Sequence, residues 1–347
     1  AGRMDDPTAA VRAIRSGMCD MIALGRPCLA DPEIPNKVAT GREQEIRPCI
    51  SCNYGCCTKV HLDSGRMSCA VNAQCANERN TVLFPAVSQK RIVVVGGGPG
   101  GCEAARVAAL RGHQVTLFEK SNRLGGAVIP ASAPSFKGHD EKLIRYFEHE
   151  LDRLKVDVRL STAADVTAVA DLQPDVVVTA TGAQEWRPVI PGGERGLSVN
   201  EALNAVDQLG DQVLILGAGQ TGVETAIWLL ELGHKVTILE VTERFMPQSL
   251  YSDAEHAAAL LEYRKGRLLL QTAAQEIRDH TVVAKTPGGT IELPADTVIF
   301  ATGFRGDDSV YQAMRERFPL VYNLGDSVRA RNIYFAVHEG FELARNL

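Results

Sequence analysis

Five of the chain's nine cysteines fall in the stretch RPCISCNYGCCTKVHLDSGRMSCAVN, and their spacing limits what chemistry they can do. Two residues separate Cys49 from Cys52, three separate Cys52 from Cys56, and twelve lie between Cys56 and Cys69. Three thiolates on one loop with a more distant fourth suit the four corner irons of a [4Fe–4S] cube. Structural zinc more often shows two C-x2-C pairs, or one pair with distant histidines. Only one C-x2-C is present here, and His61 stands outside any paired spacing. A disulfide framework belongs to small secreted chains that cannot build a core, and 347 residues with an odd cysteine count do not fit that class. Cys49, Cys52, Cys56 and Cys69 are therefore taken as metal ligands. Cys57 would serve in place of Cys56, and Cys75 is a weaker alternative; Cys28 is read as packing.

A second chemistry is written in glycines. RIVVVGGGPGGCEAARVAALRGHQVTLFEK, residues 91–120, carries Gly96, Gly98 and Gly101 in a G-x-G-x-x-G pattern, with Glu119 closing the next apolar run. QVLILGAGQTGVETAIWLLELGHKVTILEV, residues 212–241, repeats it with Gly217, Gly219, Gly222 and Glu240, each 121 residues on. A third pair, Gly182 in VVVTATG and Gly303 in VIFATGF, keeps the same displacement. One such motif is weak, but two in strand–turn–helix context with an acid at matched spacing form a dinucleotide fingerprint. The first glycine allows the tight turn, the second lets pyrophosphate approach the backbone, and the third packs helix on strand. The helix N-terminus offers N–H groups to phosphate, and each glutamate is expected to accept hydrogen bonds from ribose.

These residues need elements to hold them. Arg91–Val95 reads as a buried parallel strand, followed by a small-residue helix ending near Gly112 and a second strand to Glu119. His113 and His234 are also 121 apart, but each follows a helix-ending glycine and reads as a connector. Glu103 and Glu224 read as ordinary helix residues. Composition is ordinary for a globular protein, 45% apolar and 23% charged, the strand–turn–helix repeats make the chain α/β, and the length suggests two or three domains. A net charge of −5 gives no general footprint for nucleic acid. No apolar run approaches the length of a membrane span, and the first residues show no secretory pattern, so a cytoplasmic protein without nucleic-acid or membrane partners is expected.

The two glycine motifs, each followed by an ATG turn, resemble the flavoprotein disulfide reductase fold. That resemblance implies FAD at the first motif and NADH or NADPH at the second. It divides the chain into an FAD domain at 88–203 and 292–347 and a nicotinamide domain at 204–291. Gly325 and Asp326 in VYNLGDSV would then meet the ribityl–phosphate region of FAD. MIALGRPCLADPEIPNK, RPCISCNYGC, SCAVN and FPAVSQKRIVVVGGGPGG extend the resemblance, over essentially the whole chain, to the iron–sulfur flavoenzymes of the old yellow enzyme superfamily. These include the 2,4-dienoyl-CoA reductase, enoate reductase and trimethylamine dehydrogenase types. The twelve-residue gap to Cys69 departs from the eleven expected of the dienoyl-CoA reductase pattern.

In that family an FMN-binding (β/α)8 barrel precedes the cysteines. The resemblance implies that residues 1–47 are the end of such a barrel, with GRM at 2–4 closing strand 7, residues 10–17 in the last helix and CDMIAL as strand 8. Gly25 and Arg26 would grip the FMN phosphate, and residues 48–87 would hold the cluster and a linker. The implied activity passes electrons from NADH through FAD and [4Fe–4S] to FMN and reduces an activated C=C bond of an enoate or dienoyl-CoA type small molecule. Amine dehydrogenation or N-demethylation, and an electron-transfer module for a separate barrel subunit, are the alternatives. The catalytic acid would lie in the missing barrel portion and is unassigned; a homo-oligomer is compatible.

Overall fold

The structure, a computed structural model, describes residues 4–62 and 65–347. Two compact units divide them. One comprises the chain through Ile129, Gly138–Ala183 and Gly306–Leu347; the other comprises Pro130–Lys137 and Gln184–Arg305.

The duplicated stretches form the same unit twice. β1 (Arg91–Val95), α1 (Pro99–Leu110) and β2 (Gln114–Phe118) build the first copy, followed by α2 (Gly138–Arg153), β3 (Asp157–Arg159) and β4 (Val176–Thr179). After β5 (Leu197–Ser198), β6 (Gln212–Leu216), α3 (Gln220–Glu231) and β7 (Lys235–Leu239) build the second, completed by β8 (Arg267–Leu269) and β9 (Thr297–Phe300). β10 (Val321–Asn323) and α4 (Ile333–Arg345) return to the first unit. The first sheet runs β10-β4-β1-β2-β3 and the second β5-β9-β6-β7-β8, with every pairing in both parallel. Ile92 to Val95 and Val213 to Leu216 are all buried, as strands covered on both faces must be.

In each sheet the chain moves outward on one side of the central strand and then returns to the other. The strand order therefore reverses between β1 and β4, and between β6 and β9, which is where such sheets hold ligands. The glycine turns follow β1 and β6, at these reversals.

The second sheet takes in β5 and β9, which lie outside residues 204–291, and both belong to the second compact unit. β6 is the central strand of this sheet, paired with β9 on one side and β7 on the other. Residues 292–305 lie in this compact unit. A three-stranded antiparallel meander of Ala273–Arg278, Thr281–Thr286 and Gly289–Pro294 completes it.

At the N-terminus, Pro7–Arg15 is helical, capped by the Asp6 carboxylate on the N–H of Thr8 at 2.9 Å. The expected strand over residues 19–24 joins no ladder among the described residues, because no strand lies beside it to accept its hydrogen bonds. Residues 2 and 3 of the expected strand 7 lie outside the described residues. The cysteine segment is no loose linker: Ile50, Ala70, Val71 and Ala73 enter the same core as β1 and α1. Among the described residues no helix is long and apolar enough to cross a membrane.

One polar cluster lies inside that first core. Glu103 is fully buried and receives both Nε and Nη2 of Arg106 at 2.8 Å. Glu150 stands 3.9 Å from Arg106 and accepts Nε of Arg153 at 2.8 Å. Desolvation alone would raise the Glu150 carboxyl, but the hydrogen bond from Arg153 and the charge of Arg106 outweigh it and hold the group below its usual range. A depressed folded value contributes stability above the unfolded carboxylate pKa of about 4.3 that is lost as pH falls through the folded value. Glu150→Gln should therefore cost about 3 kcal/mol at neutral pH, measured by urea unfolding, because it leaves Arg106 and Arg153 undercompensated. The gap from the unmutated chain should narrow steadily below about pH 4.

Candidate functional site

The two glycine turns agree atom for atom. Gly96 has φ +111° and Gly217 φ +107°, and each passes the carbonyl of the residue ending the next strand's turn: a Cβ would stand 2.3 Å from Ala180 O or 2.4 Å from Ala301 O. Gly101 and Gly222 press so closely on the first glycine's carbonyl that a Cβ would lie 1.9 or 2.1 Å away. Gly98 and Gly219 differ from these. Each is the extended residue just before its helix, and a Cβ on either would meet nothing within 4 Å. Two glycines of each motif serve the fold, and the middle one leaves open space at a helix N-terminus, where N–H groups and the dipole favour phosphate.

Glu119 and Glu240 close these turns through the protein's own donors. Glu119 Oε2 accepts the Gly97 N–H at 2.7 Å, and Oε1 lies 2.8 Å from both N and Oγ of Ser121. Glu240 repeats this with Ala218 N at 2.8 Å and with N and Oγ1 of Thr242 at 2.9 Å. A carboxylate offers about four lone-pair positions, so each keeps one for a ribose hydroxyl. Ser121 and Thr242 were not singled out in the sequence. They too are 121 apart, and extending the displacement past the acids finds them.

Gly325, at φ +73°, gives its N–H to Glu339 Oε2 at 2.7 Å, and Asp326 Oδ1 accepts the Arg331 N–H at 2.9 Å. Burial raises the Asp326 carboxyl. β10 leads into this turn beside β4, so it emerges at the same sheet end as the Gly96 turn. His113 and His234 lie at the opposite strand ends; His113 Nδ1 accepts from Lys90 N and His234 Nδ1 lies 2.9 Å from Gly210 O. Glu103 holds Arg106, and Glu224 meets Lys137 at 3.1 Å.

The cysteine segment surrounds a small cavity with an open mouth. Cys49, Cys52, Cys56 and Cys69 all line it, whereas Cys57 and Cys75 do not. Leu29, Ile50, Ala70 and Val71 supply an apolar wall. Among the described residues no three His, Cys, Asp or Glu side chains converge as ligands of one ion. A cube makes no such demand, because each sulfur binds a different iron. Four sulfurs with no carboxylate among them are a soft donor set, which fits iron–sulfur or zinc over hard cations.

Backbone geometry shapes this cavity. Ser51 and Asn53 flank Cys52 with φ +57° and +54°, a left-handed conformation uncommon outside glycine. Such residues persist where their surroundings over-determine them. Desolvation pushes the thiols of Cys52, Cys56 and Cys69 up, Cys69 to about 11. Backbone N–H groups of Tyr54 at Cys52, and of Val71 and Asn72 at Cys69, pull the other way by favouring thiolate. Arg26, expected at a flavin phosphate, lines the same cavity and donates Nη1 to Asn53 Oδ1 at 2.5 Å, with Gly25 preceding its short helix.

Residues 90–336 match the family model described as pyridine nucleotide-disulphide oxidoreductase. The chain is 36% identical to a cinnamate reductase of Clostridium sporogenes over 100% of its own length and 52% of the relative's. It is 35% identical to a bilirubin reductase of Mediterraneibacter gnavus, over 100% and 54%. A solved 2-naphthoyl-CoA reductase complex superposes with a TM-score of 0.94 at 33% identity, covering 99% of this chain and 53% of that one. The chain thus spans about half the length of these relatives.

The glycine geometry separates folding from binding. Gly98→Ala and Gly219→Ala should leave the thermal midpoint nearly unchanged, because nothing stands where the methyl would go. Gly101→Ala and Gly222→Ala should lower stability by about 1–3 kcal/mol, because backbone would have to move.

Proposed function

The chain belongs to the pyridine nucleotide-disulphide oxidoreductase family, and from that membership we propose that it is the electron-input part of an NADH-dependent iron–sulfur flavoprotein that reduces activated C=C bonds. The observation carrying this reading is that Cys49, Cys52, Cys56 and Cys69, and neither Cys57 nor Cys75, border one cavity in the unit that holds the first glycine turn. Likeness along the whole chain to a cinnamate reductase and a 2-naphthoyl-CoA reductase supports the substrate class, an unsaturated acid or its thioester.

Gly96, Gly98, Gly101, Glu119, Gly325 and Asp326 would hold FAD, and Gly217, Gly219, Gly222 and Glu240 the nicotinamide dinucleotide. When bound, FAD would supply hydride acceptance from NADH, and a [4Fe–4S] group on the four cysteines would supply single-electron transfer toward FMN. The chain's own part is placement. Its glycine turns would admit phosphate, its glutamates would keep one acceptor each for ribose, and Leu29, Ile50, Ala70 and Val71 give the cysteine cavity an apolar wall. The substrate pocket and most of an FMN-binding barrel would correspond to the half of these relatives that this chain does not cover. Gly25 and Arg26 remain the proposed phosphate grip: Arg26 uses one N–H on Asn53, and a guanidinium carries five.

Purified anaerobically, the protein should hold iron and acid-labile sulfide approaching four each per chain, and Cys49→Ala should lose both. Zinc without sulfide would refute the cluster. With the whole polypeptide, NADH should drive reduction of a cinnamate-type acid or its thioester; oxidation of a methylated amine with no enoate turnover would refute the substrate class.

Glu240 decides between nucleotides. Its carboxylate suits a ribose 2′-hydroxyl and repels a 2′-phosphate, while Arg244 is largely exposed with Nε 3.9 Å from Glu243. Stopped-flow reduction of the FAD should be at least about tenfold faster with NADH than NADPH at equal subsaturating concentration, a difference of about 1.4 kcal/mol. Glu240→Gln should shrink that preference.

A further inference from the structure

Two neighbouring residues of α4 make hydrogen bonds to two different parts of the proposed electron path. Glu339 holds the Gly325 N–H at 2.7 Å, at the turn assigned to FAD. His338 places Nε2 2.9 Å from the carbonyl oxygen of Cys69. A carbonyl only accepts, so Nε2 carries the proton in this contact.

The imidazole is held on its face as well. His338 stacks on Tyr334 with ring centroids 3.8 Å apart and planes 22° apart. Tyr334 lies 5.4 Å from the ring of Tyr54, and Lys59 Nζ stands 5.1 Å over Tyr334. Tyr54 belongs to the cysteine loop between Cys52 and Cys56, and its N–H is directed to the Cys52 sulfur. The helix that carries His338 has little freedom to shift, because a Cβ on Gly340 would lie only 2.4 Å from Gly100 O of α1. One rigid helix therefore touches the cysteine segment at two points, through the Cys69 carbonyl and through the ring of Tyr54.

We propose that His338 is a positioning residue that fixes Cys69 to α4, and so sets the cysteine cavity in register with the Gly325–Asp326 turn. This inference rests on the cluster reading above. The Cys69 carbonyl is fixed from outside by His338 while its sulfur side receives the N–H groups of Val71 and Asn72. Outer partners of this kind orient a ligand, and removing them typically weakens metal retention by about 10- to 100-fold.

The test compares the full polypeptide, purified anaerobically, with His338→Gln, which keeps an N–H donor of similar reach, and His338→Leu, which does not. The readouts are iron and sulfide per chain, the rate of visible-absorbance loss under excess chelator, and the electron paramagnetic resonance spectrum after dithionite reduction. His338→Leu should lose its cluster to chelator at least tenfold faster and show an altered spectrum, while His338→Gln stays close to the unmutated protein. FAD content should be unchanged in both. A leucine variant with unmutated loss rate and spectrum overturns the role of His338, and so does a glutamine variant that fails as badly as leucine. Absence of sulfide from the unmutated protein overturns the cluster reading and this inference together.

Discussion

Helix α4 lies against α1 so closely that main chain meets main chain: a methyl on Gly340 would reach 2.4 Å from Gly100 O, and one on Gly100 would reach 3.1 Å from Ala336 O. The rest of the first unit depends on that approach. α1 begins at the open glycine Gly98, and α4 carries Glu339 and His338 toward the Gly325 turn and Cys69. Helices usually pack 8–10 Å apart on their side chains; glycines at the crossing permit less. With less separation, short side chains on one helix can reach both a nucleotide turn and a cysteine segment. Larger residues at Gly100 or Gly340 would have to push these groups apart.

The same unit buries charge, which is costly unless every partner is present. Glu103, Arg106 and Glu150 form a chain in which each charge faces an opposite one, and Arg47 reaches the helix that carries Glu150 by donating to the Tyr146 hydroxyl at 3.2 Å. Arg47 also donates to Asn72 Oδ1 at 3.0 Å, and the Asn72 amide donates to Leu29 O at 3.0 Å. Arg47 stands two residues before Cys49, and Asn72 three after Cys69. This network therefore ties both ends of the cysteine segment to the core packed on α1. Burial without such pairing would destabilise the unit; with it, the arrangement favours one conformation over slightly shifted alternatives.

Much of this was legible in the sequence because it is local and repeated. A β-branched run, a glycine turn and a small-residue helix specify their own conformations, and the 121-residue displacement confirms the pattern against itself. The displacement holds for β1 and β6, α1 and α3, β2 and β7, and β4 and β9, yet β3 and β8 are 110 residues apart. The elements flanking β3 and β8 differ in length between the copies, and the antiparallel meander before β9 restores the count. What sequence could not deliver was nonlocal. His338 meets Cys69 across 269 residues, with no periodicity to announce it. The contact of Arg26 with Asn53, across 27 residues, is equally unannounced by any local pattern. β9 reads alike in the sequence as the end of one unit or the start of another, and only its pairing with β6 places it in the second sheet.

The two copies also show how one scaffold is adapted to two roles. In both, the loop after the acid folds back on the glycine turn: Gly125 N donates to Gly97 O and Met246 N to Ala218 O, each at 2.8 Å. The first copy uses Gly97 where a Cβ would stand 2.6 Å from Leu124 Cδ2, and Gly126 at φ +54° where a Cβ would stand 3.2 Å from Gly98 Cα. The second carries Ala218, Met246 and Pro247 at the matching positions, so side chains occupy what the first copy keeps as bare backbone. A glycine-walled cradle lets main chain approach a ligand from two sides, which suits a nucleotide held through many turnovers. A turn bordered by side chains offers fewer such contacts and suits a nucleotide that must leave once it has given up its hydride. The proposed assignment of the first turn to FAD and the second to the nicotinamide is compatible with where the duplicated sequence gives up its glycines.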